Sequence, residues 1–346
     1  SGASCKRWVI YVTGLNRGCK SPSGGESDEL DLQGDVKFAE LVGATLANLR
    51  RVQHLERRQS MFRPFFSPVV MEAFVDRDPE EVLQPRQCEI SVLFCDLRGF
   101  SAKSEQMSDQ LEELLDRVSQ ALGIMTRNVL EFGGVIGDFH GDSAMGFWGW
   151  PLERDDAAEQ VCRAALTIQS EVAAIAAQPD HRLHDFQMGI GVATGNAVAG
   201  KIGTSHQVKV TAFGPVVNLA ARLEGMTRTL NIPLLIDKFT VARAGALFSG
   251  TDPMAKVRHL GSFCPYGLSI ASDIYQMNRV DDHPSQPILD AFAAGLNLFT
   301  AGRWEEALDA LMPIENQDSA ARFLIRFMKS REMPADFHGV IDLTTK

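Results

Sequence analysis

The chain lacks the features that would make it disulfide-stapled, membrane-spanning or nucleic-acid-coating. Its six cysteines, Cys5, Cys19, Cys88, Cys95, Cys162 and Cys264, are scattered with no Cys-x-x-Cys pair, and its eight histidines show no clustering at metal-ligand spacing. A reduced, cytoplasmic setting is therefore expected. No apolar run approaches the ~20 residues needed to span a bilayer, and no signal-peptide pattern stands at the start. Positive charge is also short. With 34 Lys and Arg against 44 Asp and Glu, the formal net charge is −10, and a field of that sign repels phosphate backbones and anionic lipid. Neither nucleic acid nor membrane is expected as a partner, and any phosphate must be held locally.

What is present can build a core. At 346 residues and 45% hydrophobic content, the chain is long enough for one sizeable domain with appendages or for two small domains. Lys6 to Thr13 reads as a short strand, and Asn16 to Glu29, rich in Gly and Ser, as a loop. From about Asp35, Phe38, Leu41, Val42, Leu46, Leu49, Val52 and Leu55 recur at three- and four-residue steps, predicting a long amphipathic helix that ends near Phe65-Phe66-Ser67-Pro68. Between Glu89 and Met277 the order is strand 90–96, helix about 108–131, strands 134–139 and 143–149, helix about 155–177 and strand 186–194. A hairpin-like pair near 197–213, a helix from about Val216 to Arg228 and strands at 234–237, 257–263 and 270–276 follow. The β-α-β-β-α-β order predicts an α+β fold of the ferredoxin-like kind, with helices on one face of an antiparallel sheet that the later strands extend. From Pro287 the pattern resembles one helical hairpin of the tetratricopeptide kind, which must dock on its own domain or a second copy to bury its apolar face. The expected divisions are 1–84, 85–280 and 281–346.

Two aspartates carry the chemistry. Asp96 closes the apolar run that starts at Ile90, and Asp142 lies where the strand-like runs 133–142 and 144–149 meet. A carboxylate at a strand end and another at a hairpin tip can converge at one sheet edge and hold magnesium against a nucleoside triphosphate, which predicts phosphoryl transfer. The peptide amides of Leu97 to Phe100 can cradle phosphate, Gly99 permitting close approach. Asn218 and Arg222 lie four apart, so a helix presents both on one face. Two other patterns mislead. Gly195 to Lys201 fits the first seven positions of a P-loop, but Ile202 replaces the Ser or Thr that should bind magnesium and loop and strand follow, so a β-hairpin is the better reading. Gly189-Ile190-Gly191 lies inside a strand and is no dinucleotide fingerprint. Phe147, Trp148 and Trp150 read as core and rim packing.

The segment from Glu89 to Glu224 resembles the class III nucleotidyl cyclases at three separate points. Phe94-Cys95-Asp96-Leu97-Arg98-Gly99-Phe100-Ser101 is similar to the first metal-aspartate motif, and Gly141-Asp142 to the second. Phe213-Gly214-Pro215-Val216-Val217-Asn218-Leu219-Ala220-Ala221-Arg222-Leu223-Glu224 is similar to the helix carrying the family's ribose-orienting Asn and catalytic Arg. The resemblance implies two Mg²⁺ or Mn²⁺ ions per site at Asp96, Leu97 and Asp142, with Asn218 on the ribose and Arg222 on the transferring phosphoryl group. It also implies phosphate contacts from Arg98, Gly99, Phe100, Ser101 and Tyr266. A homodimer follows, one subunit supplying the metals and the other the Asn and Arg. Arg63-Pro64-Phe65-Phe66-Ser67-Pro68 resembles the approach to the domain in bacterial members, and the first 80 residues resemble the final strand and exit helix of a GAF-type domain.

The chain departs from the family where the base is read. Adenylate cyclases typically place Lys four residues before the second metal Asp and Asp or Thr three before the Gly of the Asn/Arg motif; guanylate cyclases place Glu and Cys there. Asp138 and Thr211 occupy these positions here. An ionised Asp is acceptor-only and faces the N3–H of uracil or the N1–H and N2–H of guanine, whereas adenine would present it a lone pair. A Lys-Gly pair late in the family's domain is also missing, with Tyr266-Gly267 in its place and Arg258 as a nearby candidate to compensate. Soluble bacterial cyclases without the purine-reading pair resemble the pyrimidine cyclases of the Pycsar anti-phage system, whose products act on a separate effector. The expected substrate is therefore UTP, giving cyclic UMP, with GTP and then ATP as alternatives. A domain that binds nucleotide without turnover is the rival of another class.

Overall fold

The computed structural model describes residues 27–62, 66–75, 77–100, 104–105, 109–249 and 253–343. The expected strand at Lys6 to Thr13, most of the loop after it, and Arg63, Pro64, Phe65 and Ser101 lie outside these residues. The chain divides into two units, Ser1–Phe66 and Ser67–Lys346. In the first, helix α1 runs over Ser27–Phe62. It starts about a turn or two before the expected onset, because the Gly- and Ser-rich composition that reads as loop gives way to helix-tolerant Asp, Glu and Leu from Asp28 onward. The first division falls at 66/67 rather than 84/85, and residues 281–343 stay within the second unit.

The second unit is built on one sheet. Strand β1 (Arg86–Arg98) alternates between two faces, as a pleated strand must. Leu93, Cys95 and Leu97 enter the main core, while Phe94 and Asp96 project to the opposite face. Helix α2 (Leu111–Glu131), strands β2 (Val135–His140) and β3 (Ser143–Trp148), and helix α3 (Ala157–Ala176) follow. Met125 and Val129 of α2 and Val161, Ala165 and Ile168 of α3 bury their side chains against Leu93, Cys95, Leu97 and Trp148. Phe147 and Trp150 are buried too, as expected of packing residues.

Strand β4 (Gln187–Gly203) is a single long strand that absorbs both the expected strand and the first arm of the hairpin; β5 (Val208–Phe213) is its return arm. The P-loop-like segment is thus inside a strand. Helix α4 (Pro215–Leu230) follows, then β6 (Leu234–Asp237), β7 (Ala255–Cys264) and β8 (Ser272–Arg279). The order β2-β3-β1-β4 is the ferredoxin-like one, continued by β6-β8-β7 and a short last strand, β9 (Val340–Asp342), with β5 paired to β4. Most pairs are antiparallel as expected, but β4 with β6 and β7 with β9 are parallel, making the sheet mixed.

Helix α4 covers the face opposite α2 and α3. It can do so because Gly189 and Gly191 of β4 leave room for its backbone. A Cβ at Gly191 would lie 2.2 Å from the Glu224 nitrogen and 2.4 Å from the Ala220 oxygen, closer than any side chain tolerates. The glycine pair is a seat for a helix.

After β8 come α5 (Gln286–Thr300), α6 (Trp304–Leu311), α7 (Ser319–Lys329) and the short strand β9 (Val340–Asp342). The expected hairpin is therefore extended by a third helix and a strand, and it docks on its own sheet. Strand β9 pairs with β7, and Arg258 of β7 makes a buried bidentate bond to Asp318, at 2.6 and 2.7 Å, with Phe292 stacked on its guanidinium at 4.0 Å. Asp318 also caps α7 by accepting from the Ala321 amide. Arg258 is thus a fastening for the tail and is not free to compensate for the missing phosphate-binding lysine.

Candidate active site

The register of β1 against β3 explains how the two aspartates meet. Cys95 stands opposite Ala144, so Asp96, the next residue, lies level with the β2–β3 turn that carries Asp142. That turn is tight, with Gly141 at φ +63°, in the left-handed region that glycine enters at little cost. The carboxyl of Asp142 is pushed up to about 6 by burial, by the charge of Asp96 and by its hydrogen-bonding contact with that carboxyl, partly offset by its own backbone hydrogen bond and by Arg228. Two carboxylates at one point form the charge concentration that the sequence predicts.

Two further residues, which the sequence reading left unassigned, complete this cluster. The guanidinium of Arg228, on α4, donates to Asp96 Oδ2. Glu224, one turn earlier, is pushed up to about 7 by burial and by the charge of Asp96, against the pull of Arg228 and Arg98. Its Oε1 is buried without a hydrogen-bond partner. Helical spacing from Glu224 to Arg228 was visible in the sequence, but which face of α4 meets β1 was not.

These donors fit a divalent cation that is also held by its substrate. No group of three or more His, Cys, Asp or Glu side chains that could hold a metal occurs among the described residues. Magnesium, however, is commonly bound through one or two carboxylates plus substrate phosphates, and Asp96 and Asp142 are such a pair. Leu97 has a buried apolar side chain, so only its main-chain carbonyl could join them.

The residues after Asp96 divide by role. Gly99 is exposed at φ +75° with open space beside it, which leaves the peptide amides there accessible. Phe100 packs against the core. Arg98 corrects the expectation of a phosphate ligand: its guanidinium donates to the carbonyls of Thr227 and Ile232, both at 2.9 Å, and so ties the end of α4 to β1. Orphan carbonyls at a helix C-terminus draw a cation.

Asn218 and Arg222 are both exposed on α4. Among the described residues neither is hydrogen-bonded or ion-paired to Asp96 or Asp142. The helix repeat accounts for this: Arg228, six residues after Arg222, is roughly 240° further round, so the face that meets Asp96 turns Arg222 away. Tyr266 lies instead beside Arg222, with the guanidinium carbon 6.0 Å from its ring centroid. A turn closed by the Leu268 amide on the Pro265 carbonyl, with Gly267 at φ +78°, presents it there.

The base-reading positions hold the largest departure from expectation. Thr211 is half-buried on β5, opposite Gly200. Asp138 is not a free acceptor. Lys209 Nζ donates to both of its oxygens, at 2.9 and 3.0 Å, the Phe139 amide donates to Oδ1 at 2.9 Å, and His140 Nε2 lies 3.4 Å from Oδ2. Burial opposes ionisation of Asp138, but the hydrogen bonds from Lys209 and the Phe139 amide, with the nearby His140 and Lys209 acting through space, outweigh it and hold the carboxyl below its ordinary range. Lys209 was missed because β2 and β5 are far apart in sequence and not neighbours in the sheet.

Comparison with known proteins shows what the domain is similar to. Residues 82–242 match the family model described as the adenylate and guanylate cyclase catalytic domain. Adenylate cyclase 1 of Rhizobium meliloti is 33% identical over 190 residues, 55% of this chain and 27% of that protein. Adenylate cyclase 2 of the same organism is 37% identical over 158 residues, covering 44% and 41%. The chain therefore spans well under half the length of these relatives. Among solved structures, a bacterial light-regulated adenylyl cyclase aligns with a TM-score of 0.55 at 23% identity, over 68% of this chain and 64% of that one. The adenylyl cyclase CyaB from P. aeruginosa aligns with a TM-score of 0.50 at 24% identity, over 59% and 100%. The three motifs, the shared fold and the family match point the same way: residues 82–242 are similar to the catalytic domain of adenylate and guanylate cyclases.

Proposed function

We propose that this domain cyclises a nucleoside triphosphate, ATP first, to the 3′,5′-cyclic nucleotide and pyrophosphate, working as a homodimer. The observation that carries the reading is the convergence of Asp96 and Asp142 at the end of β1, close enough for the charge of Asp96 to act on the Asp142 carboxyl. Bound Mg²⁺ or Mn²⁺ would supply Lewis acidity to the 3′-hydroxyl and to the departing phosphates. The chain's own groups do the rest. Asp96 and Asp142 hold the cation, and the amides around Gly99 take the triphosphate. Asn218 orients the ribose, and Arg222 with Tyr266 receives charge on the phosphoryl group. The 3′-oxygen bonds to the α-phosphorus, the bond to the bridging oxygen of pyrophosphate breaks, and the hydroxyl proton leaves to solvent.

A second copy of the chain is invoked because neither Asn218 nor Arg222 is hydrogen-bonded or ion-paired to the aspartate pair of its own subunit among the described residues, and the helix repeat turns Arg222 from the face that meets Asp96. ATP is placed first because the curated relatives described above are adenylate cyclases. UTP, with cyclic UMP, an anti-phage role and a separate effector, rested on Asp138 as a free anionic acceptor, and Lys209 takes both of its oxygens. The test is incubation with each of the four ribonucleoside triphosphates and Mn²⁺, with the products identified by mass spectrometry. Cyclic AMP as main product, lost in Asp96→Ala and Asp142→Ala with the fold intact, is the expected result. Undiminished turnover in either variant removes that residue from the site.

A further inference from the structure

Resting on the cyclase reading, we propose that Lys209 is the specificity-determining residue for the base, its ammonium donating to adenine N1 while Asp138 accepts from the N6 amino group. Lys209 and Thr211 are two apart on β5 and so project to the same face, which places Lys209 beside an expected base-reading position. Its Nζ is held by both oxygens of Asp138, the other such position. A cation thus enters the base site from β5, although the position on β2 where a lysine would be expected holds an acid.

Counting donors and acceptors gives the pair its meaning. An ammonium has three N–H donors, and Asp138 takes two of those of Lys209. A carboxylate has about four lone-pair sites; Lys209 and the Phe139 amide fill three of those of Asp138, and His140, 3.4 Å from Oδ2, is an electrostatic neighbour that makes no hydrogen bond to the fourth. One donor and one acceptor are left, side by side. Adenine's Watson–Crick edge has one acceptor, N1, and one donor group, N6, and is satisfied by that pair alone. Guanine, uracil and cytosine each carry a third polar group, which needs a further partner or goes unpaired when buried. Thr211, whose hydroxyl turns to either role, does not discriminate. Without Lys209, Asp138 would be acceptor-only and would confront the adenine N1 lone pair. The lysine therefore makes adenine admissible at a site whose acid alone would reject it. Half its side chain is exposed, so it can reorient onto an entering base.

The test compares kcat/KM for ATP and GTP in wild type, Lys209→Met and the exchange Asp138→Lys with Lys209→Asp. Calorimetric affinities for 3′-deoxy-ATP and 3′-deoxy-GTP, which cannot cyclise, are measured alongside. One charge-assisted hydrogen bond corresponds to roughly a 10- to 100-fold effect. Lys209→Met is therefore expected to lower the ATP:GTP ratio about tenfold or more in both turnover and affinity, and the exchange variant to recover most of it. A ratio unchanged in Lys209→Met, or equal losses for both nucleotides, overturns the proposal, since a merely structural lysine would affect both alike. If Lys209→Met does not fold, the exchange variant decides, and loss of its ATP preference overturns the proposal. If wild type turns over no triphosphate, the cyclase reading falls and the calorimetric ratio alone decides the base reading.

Discussion

At the scale of single residues, the pairing of Asp96 with Asp142 has consequences for stability. The carboxyl of Asp142 lies above its ordinary range, at about 6, so the folded chain binds that proton more tightly than the unfolded one. The stability this contributes is complete below about pH 4, the ordinary aspartate value, and is lost as pH rises through about 6. In chelator, Tm is expected to decline between about pH 4 and 6 more in wild type than in Asp142→Asn. Mn²⁺ should restore it at pH 7.5 and lose that effect below about pH 6, where protons compete for the carboxylate. An Mn²⁺-induced shift that is the same at pH 5 and 7.5, or that survives Asp96→Ala, would refute a metal site here. Arg228 sits on Asp96 where a cation would compete with it. Arg228→Ala should tighten Mn²⁺ binding, read by calorimetry, by no more than several-fold because the arginine is mostly exposed. Weaker binding in that variant would make Arg228 a supporting residue of the metal pair.

At the scale of elements, the tail and the sheet are joined by a buried ion pair. Arg258 and Asp318 are 5% and 6% exposed, and a lone charge left at such a depth costs about 3–5 kcal/mol. Arg258→Met should lower unfolding free energy by that amount in urea titration. The double variant Arg258→Met with Asp318→Asn should recover part of it, because no unpaired charge remains. A loss below about 1 kcal/mol in the single variant, a size typical of an exposed pair, would show that the tail docks without it. The aromatic group of Phe299, Trp304, Phe327 and Phe337, with ring centroids 5.1 to 6.2 Å apart, makes the tail a small core of its own.

At the scale of the whole molecule, the separation of Arg222 from the aspartates predicts complementation between subunits. Asp96→Ala and Arg222→Ala proteins, each inactive alone, should regain part of the activity when mixed, since one of the two sites in a mixed dimer is intact. Absence of rescue after demonstrated subunit exchange would mean that each chain completes its own site.

The ferredoxin-like order, the meeting of Asp96 with Asp142 and the placing of Asn218 and Arg222 on one helix were legible in the sequence because each depends on local pattern. Alternation marks a strand, a four-residue step marks a helix face, and a Gly-Asp marks a turn tip. The sites of Arg98, Arg228, Lys209 and Arg258 were not legible. In isolation each is a basic residue on a regular element, and its partner lies 60 to 134 residues away. Which acid or carbonyl it meets depends on sheet register, on the close approach of α4 over Gly189 and Gly191, and on the curl that brings β5 to β2. Long-range packing thus fixes where charges pair, and here it sets Lys209 on Asp138, where the sequence by itself showed only an acid.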